Sequence, residues 1–211
     1  VSAWLTRIIL NAGSRAARRD LGDADALHKR VMSLVPNDLG ERARATAGVL
    51  YRYDETDQAG PHLLIQTQLP IDSSLLPDQY GSLAVRDLTP LLNLLRADMA
   101  VHYRIVGNPT KRLGRTSERS GKLVALRGDE ADQWWHNRAH ASGLILRTLI
   151  STSLPDIRGK GPGRVQHAAT RFEGIAVIKD ADLARQAVLS GVGRGKAHGC
   201  GLLSLAPADL R

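Results

Sequence analysis

Arg7-Ile8-Ile9-Leu10-Asn11 and Arg104-Ile105-Val106-Gly107-Asn108 are two stretches in which the chain resembles itself. Each is the end of an apolar, β-branched segment that reads as a strand. Each then runs into a basic segment: Ser14-Arg15-Ala16-Ala17-Arg18-Arg19 after the first, Pro109-Thr110-Lys111-Arg112-Leu113-Gly114-Arg115 after the second. Five aligned residues are a thin signal of duplication, but the order of elements around them agrees.

Outward from the first stretch, residues 4–10 form a predicted strand that stops at the Asn11-Ala12-Gly13 turn, and the following basic segment reads as a loop. Asp23 is placed to cap a helix whose inward positions are Ala24, Leu27, Val31, Leu34 and Val35, with Pro36 as its stop. Residues 49–53 and 63–69 read as strands around a turn-rich loop, and residues 70–95 should hold a short helix and a strand. In the second half, strands are expected at 101–106 and 122–127, then a helix capped by Asp129 and carrying Trp134 and Trp135. Strands at 144–153 and 165–178 flank a loop at 155–164. Asp180 caps a last helix ending at Gly191, and a final strand closes the chain. Strand–helix–strand–strand–helix–strand, twice over, is the split βαβ pattern. The expected fold is α+β, two tandem ferredoxin-like (RRM-like, βαββαβ) domains at residues 1–94 and 95–211.

Composition narrows the partner. A net charge of +8 and a pI near 10.1 favour a polyanion. Aromatic residues make up only 4% of the chain, which argues against stacking many splayed bases and for reading a nucleic-acid backbone by charge and shape. Cys200 is the one cysteine, so a disulfide framework and a cysteine-based zinc site are excluded. No apolar run reaches membrane-spanning length, and Arg7 interrupts the N-terminal apolar segment, so neither a membrane partner nor a signal peptide is expected and the location is read as cytoplasmic.

The segment Ser190-Gly191-Val192-Gly193-Arg194-Gly195-Lys196-Ala197-His198-Gly199-Cys200-Gly201 has the composition of an anion cradle, glycines allowing close backbone approach and two cations adding charge. It fits no small-nucleotide motif. Counted from Gly191, the dinucleotide fingerprint needs glycine where Lys196 stands, and a P-loop needs Ser or Thr where Ala197 stands. A nucleic-acid phosphate remains. Among the histidines, His28 lies at the edge of the apolar stripe of the first helix, with Asp25 one turn earlier and Arg15, Arg18 and Arg19 upstream. An imidazole there suits acid–base work near neutral pH, and Asp25 would orient the ring and favour its charged form. His136 and His140 have helical spacing but no third ligand, so no metal is assigned. His62, His102 and His167 read as structural, and His198 as either packing or an RNA contact.

With these pieces together the chain resembles the CasE family, the CRISPR-RNA-processing endoribonucleases of type I-E CRISPR–Cas systems in the RAMP superfamily. The resemblance is carried by Trp4-Leu5-Thr6 with Leu10-Asn11, Ser14 to Leu21, Leu27-His28, Asn108 to Arg112, Arg171-Phe172-Glu173-Gly174, Gly191 to Ala197, and Gly199-x-Gly201-Leu202-Leu203-Ser204. It implies tandem ferredoxin-like domains and cleavage of CRISPR repeat RNA at the 3′ base of its stem-loop without metal or cofactor. The 2′-hydroxyl attacks its own phosphate, leaving 2′,3′-cyclic phosphate and 5′-hydroxyl ends, and the product stays bound in the Cascade complex, with no direct DNA contact.

His28 matches the family's catalytic histidine. Asp25 stands where many members carry tyrosine, and an ordinary carboxyl cannot replace a phenol as a proton donor at neutral pH. The site expected is therefore His28 as base or acid, Asp25 orienting it, and Lys29 or Lys111 stabilising charge. Arg15, Arg18, Arg19, Lys111, Arg112, Arg194 and Lys196 are the expected phosphate contacts, with Gly193 and Gly195 giving backbone approach. Arg158, Lys160 and Arg164 lie on a hairpin suited to the widened end of a stem's major groove. The alternatives are an RNA-hairpin-binding subunit without catalysis and a purely structural Cascade subunit.

Overall fold

A computed structural model describes residues 2–55, 60–114, 121–161 and 165–208. The elements run β1 (Trp4–Leu10), α1 (Arg15–Leu21), α2 (Ala24–Met32), α3 (Ala43–Thr46), β2 (Leu50–Asp54), β3 (His62–Thr67), β4 (Gly81–Asp87) and α4 (Thr89–Leu94). They continue with β5 (Ala100–Gly107), β6 (Thr110–Arg112), β7 (Leu123–Ala125), α5 (Asp129–Ala141), β8 (Leu144–Leu146), β9 (Ile150–Arg158), β10 (Gln166–Ile178), α6 (Ala181–Ser190) and β11 (Ser204–Pro207). Single 3-10 turns lie at Ser73–Leu75 and Lys196–His198. Among the described residues no helix is long and apolar enough to cross a membrane.

The first sheet has the antiparallel order β2-β3-β1-β4, and the second β11-β5-β10-β8 with β9 also paired to β10. Counted in chain order along each four-strand path (β1 to β4, and β5, β8, β10, β11), both read fourth, first, third, second, the strand order of the ferredoxin-like fold, so the α+β expectation holds. Ile8 on β1 sits between Leu63 and Leu83 across both neighbouring strands. It joins Leu27 and Val31 of α2 in the first core. The second core stacks Trp135 on Phe172, ring centroids 5.7 Å apart, and also takes in Leu92 and Leu95 at the end of α4.

Several local expectations fail for identifiable reasons. The basic segment after β1 is helical, because the Ser14 hydroxyl caps Ala17 N–H and the residues that follow are good helix formers. The second basic segment is partly strand, β6 pairing with β7 as a separate two-stranded ribbon, and Arg115 lies outside the described residues. Asp23 and Asp180 cap as expected, but Asp129 is the first residue of α5, whose cap position is Gly128. The strand expected at 144–153 is broken at residues 147–149. There Arg147 and Thr148 both donate to the Ile175 carbonyl, and the Thr148 carbonyl packs so close to Gly174 that a Cβ would sit 2.3 Å from it. Pro155 falls inside β9, on an outer strand near a register shift, where a missing N–H is tolerated. Leu34 and Val35 lie beyond α2 yet remain buried.

Gln66, Tyr51 and Arg52 each reach across from the first half to the second. Gln66 donates from Nε2 to the Val188 carbonyl at 2.7 Å, and the Tyr51 hydroxyl donates to the Ala197 carbonyl at 2.7 Å. Arg52, 3% exposed, is held through Nε by Asp54. Its Nη1 donates across the seam to the carbonyls of Arg104 and Leu202 and to Ser204 Oγ, at 3.1, 3.2 and 3.1 Å.

Arg52→Ala should lower stability by about 3–5 kcal/mol, because it leaves the Asp54 carboxylate buried without its partner. Urea unfolding measures this. A double Arg52→Met, Asp54→Leu variant should recover part of the loss but not all, since the Leu202 carbonyl and the Ser204 hydroxyl still lack their donor.

Candidate active site and nucleic-acid interface

The α2 helix begins at the Asp23 cap and presents Asp25 and His28 to the second half of the molecule. The Asp25 carboxylate accepts the Gly161 N–H through Oδ2 at 3.1 Å, and Asp23 accepts the Lys160 N–H through Oδ1 at 3.0 Å. These two acids tether the hairpin that follows β9 to the helix bearing His28. Both glycines there are needed for the approach: a Cβ on Gly159 or Gly161 would come within 2.3 or 2.8 Å of Asp25 Oδ2.

The glycine-rich segment leaves α6, turns at Lys196–His198 and packs on α2 and β2. This brings His198 beside His28, ring centroids 5.9 Å apart and tilted 58°. His198 Nε2 lies 3.6 Å from Asp25 Oδ1, an ion pair when the ring is charged. Its Nδ1 is 3.1 Å from His167 Nε2, and His167 Nδ1 is 3.0 Å from Asn108 Nδ2. The result is a continuous line of polar groups from Asn108 through two imidazoles to the carboxylate beside His28.

His28 is half-buried, and its Nδ1 has no hydrogen-bond partner among the described residues. Its pKa is held below the usual imidazole range by burial first, then by His198 and Arg44, with Asp25 and the Ala197 carbonyl opposing. His167 is also held low, by burial and by His198. Burial pushes the Cys200 thiol up to about 12, so it is chemically inert. Between the two halves, beside this cluster, lies a cleft of about 580 Å³ with His198 on its wall and Tyr53, Arg158 and Arg171 among its lining.

The predicted residues scatter unevenly around this centre. His28 and Asp25 come together, whereas Lys29 is exposed with no hydrogen bond or ion pair among the described residues. Arg15, Arg18 and Arg19 are exposed on α1, which packs on α2. Arg18 donates to the Ala12 carbonyl, and Arg19 pairs with Asp20. Lys111 is paired with Glu130, and Arg112 donates to the Gly121 carbonyl, so both cations are partly occupied within the protein. Arg158 is 73% exposed at the end of β9, and Lys160 is exposed beyond it, while Arg164 lies outside the described residues. In the glycine loop Arg194 is exposed, Gly193 packs on the Trp134 ring and Gly195 turns with φ +77. Lys196 instead donates to the Ser190 carbonyl at 2.7 Å, closing the end of α6, and burial with Arg44 nearby holds its pKa down.

Sequence reasoning read His167 as structural, gave Asn108, Tyr51 and Arg44 no role in the site, and left His198 undecided. No spacing rule joins these positions, since each comes from a different element. Among the described residues no group of three or more His, Cys, Asp or Glu side chains could hold a metal ion.

Comparison with known proteins gives a consistent result. A family model described as CRISPR associated protein matches residues 3–207. The CRISPR-associated endoribonuclease Cse3 of Thermus thermophilus is 32% identical over 219 residues, spanning 97% of this chain and 100% of that protein. The CRISPR system Cascade subunit CasE of Escherichia coli is 28% identical over 216 residues, spanning 97% and 99%. The structure of Thermus thermophilus Cse3 bound to an RNA representing a pre-cleavage complex is similar with a TM-score of 0.82 and 32% identity, over 98% of this chain and 100% of that one.

Because His28 and His167 take up protons less readily folded than unfolded, the unfolded chain binds more protons once the pH drops below imidazole's usual value near 6.5. Stability should therefore fall as pH is lowered through that value, and level off once the folded rings protonate too. Urea midpoints between pH 7.5 and 5 measure it, and His167→Gln should flatten the dependence.

Proposed function

This chain belongs to the CasE family of CRISPR-associated proteins, and from that premise we propose that it is an endoribonuclease that cuts CRISPR repeat RNA at the 3′ base of its stem-loop. It works without metal and keeps the product bound as a subunit of Cascade. The observation that carries this reading is His28, a half-buried imidazole whose pKa burial holds low, set beside the His198 that lines an interdomain cleft with Arg158 and Arg171 on its walls.

Cleavage by the neighbouring 2′-hydroxyl needs a base to take its proton, in-line placement of the attacking and leaving oxygens, charge stabilisation at phosphorus and a proton for the leaving 5′-oxygen. A neutral His28 is suited to the first task. Arg44, whose charge helps depress His28, and the exposed Lys29 on the same helix as His28 supply charge stabilisation. Asp25 has both oxygens turned to donors or to a ring N–H, so it acts as an acceptor that holds the hairpin and His198, not as a stand-in for a phenol. The RNA stem is placed on the exposed Arg15, Arg18 and Arg19 of α1, on Arg194, and on the hairpin carrying Arg158 and Lys160.

A second reading, an RNA-hairpin-holding subunit that no longer cleaves, draws on the carboxylate at position 25. The two separate in one experiment. Wild-type protein in chelator should cut repeat RNA to a 2′,3′-cyclic phosphate product, and His28→Ala should be slower by about 10²–10⁴-fold with binding retained. A 2′-deoxy nucleotide at the scissile position should abolish the reaction. Binding without cleavage by wild type would favour the second reading. RNA affinity should also fall steeply with salt, the logarithmic slope being about −0.7 to −0.9 for each phosphate contact; binding indifferent to salt would leave only a structural subunit.

A further inference from the structure

We propose that His198 is the second proton-transfer residue of this site, the acid that protonates the leaving 5′-oxygen while His28 acts as base. The inference deepens the cleavage reading above and rests on it. It starts from the hydrogen bonds that fix the rings. With the Asn108 amide nitrogen turned to His167 Nδ1, the His167 proton sits on Nε2 and points at His198 Nδ1. The remaining His198 proton then sits on Nε2, toward Asp25. Every ring in the line has one tautomer.

The same line has a second state in which the ring nitrogens are again paired. Asn108 Oδ1 is buried and has no partner among the described residues. Rotating that amide by half a turn presents Oδ1 to His167 Nδ1–H, which frees His167 Nε2 to accept from His198 Nδ1–H. His198 then carries protons on both nitrogens, one bound by His167 and one facing the Asp25 carboxylate. A neutral amide, a tautomer exchange and a carboxylate thus let His198 gain or lose one proton while every ring nitrogen of the line keeps a partner, one end of the Asn108 amide being unpaired among the described residues in either state. Such a line serves proton transfer.

Placement agrees with this role. His198 lies on the wall of the interdomain cleft, and the His28 ring stands 5.9 Å from the His198 ring, a separation that one phosphodiester can bridge. The charged and titratable groups around the pair are Asp25 and His28 on α2, Arg44 on α3, Tyr51 on β2, His167 on β10, and Lys196 and Cys200 on the glycine loop itself. Tyr51 is an unsuitable acid, since its hydroxyl is already committed to the Ala197 carbonyl and burial drives its pKa up. The step balances: His28 takes the 2′-hydroxyl proton, the 2′-oxygen bonds to phosphorus as the P–O5′ bond breaks, and His198 gives its proton to O5′. His28 ends protonated and His198 neutral, and exchange with water restores both.

The test is single-turnover cleavage by full-length wild type, His198→Gln and His28→Gln, on two repeat RNAs: the natural one, and one with a bridging 5′-sulfur at the scissile bond, whose thiolate leaves without a proton. On natural RNA, wild type should give a bell-shaped pH profile, and His198→Gln should lose about 10²–10⁴-fold together with the alkaline limb. On the 5′-sulfur RNA, His198→Gln should recover to within tenfold of wild type, while His28→Gln stays slow on both. Asp25→Asn should shift the alkaline limb to lower pH, because the imidazolium loses its counter-charge. A His198→Gln rate equal to wild type on natural RNA overturns the proposal, and so does a loss that the 5′-sulfur fails to rescue. If wild type cleaves neither RNA, the cleavage reading itself falls and takes this inference with it.

Discussion

A guanidinium taken out of water between two sheets is the constraint on which the rest of this molecule depends. Arg52 sits on the edge strand β2 of the first half, and its donors are spent on Asp54 beside it and on the chain of the second half across the seam. An ion so buried is tolerated only when nearly all its hydrogen-bonding capacity is met. Its acceptors include the Leu202 carbonyl and Ser204 hydroxyl, which directly follow the glycine-rich segment. Satisfying Arg52 therefore fixes where that segment ends, while α6 fixes where it begins.

Between those two fixed points the segment must pass very close to β2. A Cβ on Gly191 would lie 2.7 Å from a Leu50 methyl, and one on Gly201 would lie 2.7 Å from the Val192 carbonyl, with both residues at positive φ. Glycine is required there for close approach and for backbone angle together. Tyr51, next to Arg52 on the same strand, then bonds the Ala197 carbonyl, and the adjacent residue is His198. The geometry of the histidine pair is thus a consequence of how β2 is docked. The histidine pair is built on a seam whose buried arginine is matched to acceptors on both sides.

Asp25 shows how a change of residue type can be absorbed by its surroundings. It does not reproduce a hydroxyl donor; it works as an acceptor, holding a hairpin N–H on one side and facing an imidazole N–H on the other. In consequence the helix bearing His28, the basic hairpin after β9 and the glycine loop meet at one carboxylate. Cations more remote from this point, such as Lys111 and Arg112, are engaged by neighbouring protein groups, so formal charge overstates the free positive surface.

The amino-acid sequence by itself determined the sheet-and-helix order, because strand alternation and helical spacing are local patterns and both halves carry them in the same order. It pointed to a polyanionic partner through net charge, and it singled out His28 and Asp25 through their spacing on one capped helix. It misread residues 14–19 as a loop, since a basic composition obscured a Ser14 cap followed by good helix formers. Only the tertiary structure decided the rest of the site. Asn108 and His167 are 59 positions apart, and Tyr51 and Ala197 are 146 apart, and no periodicity connects such positions. They meet because a buried arginine and a run of glycines close one domain against the other, a property of three-dimensional packing that a one-dimensional pattern does not encode.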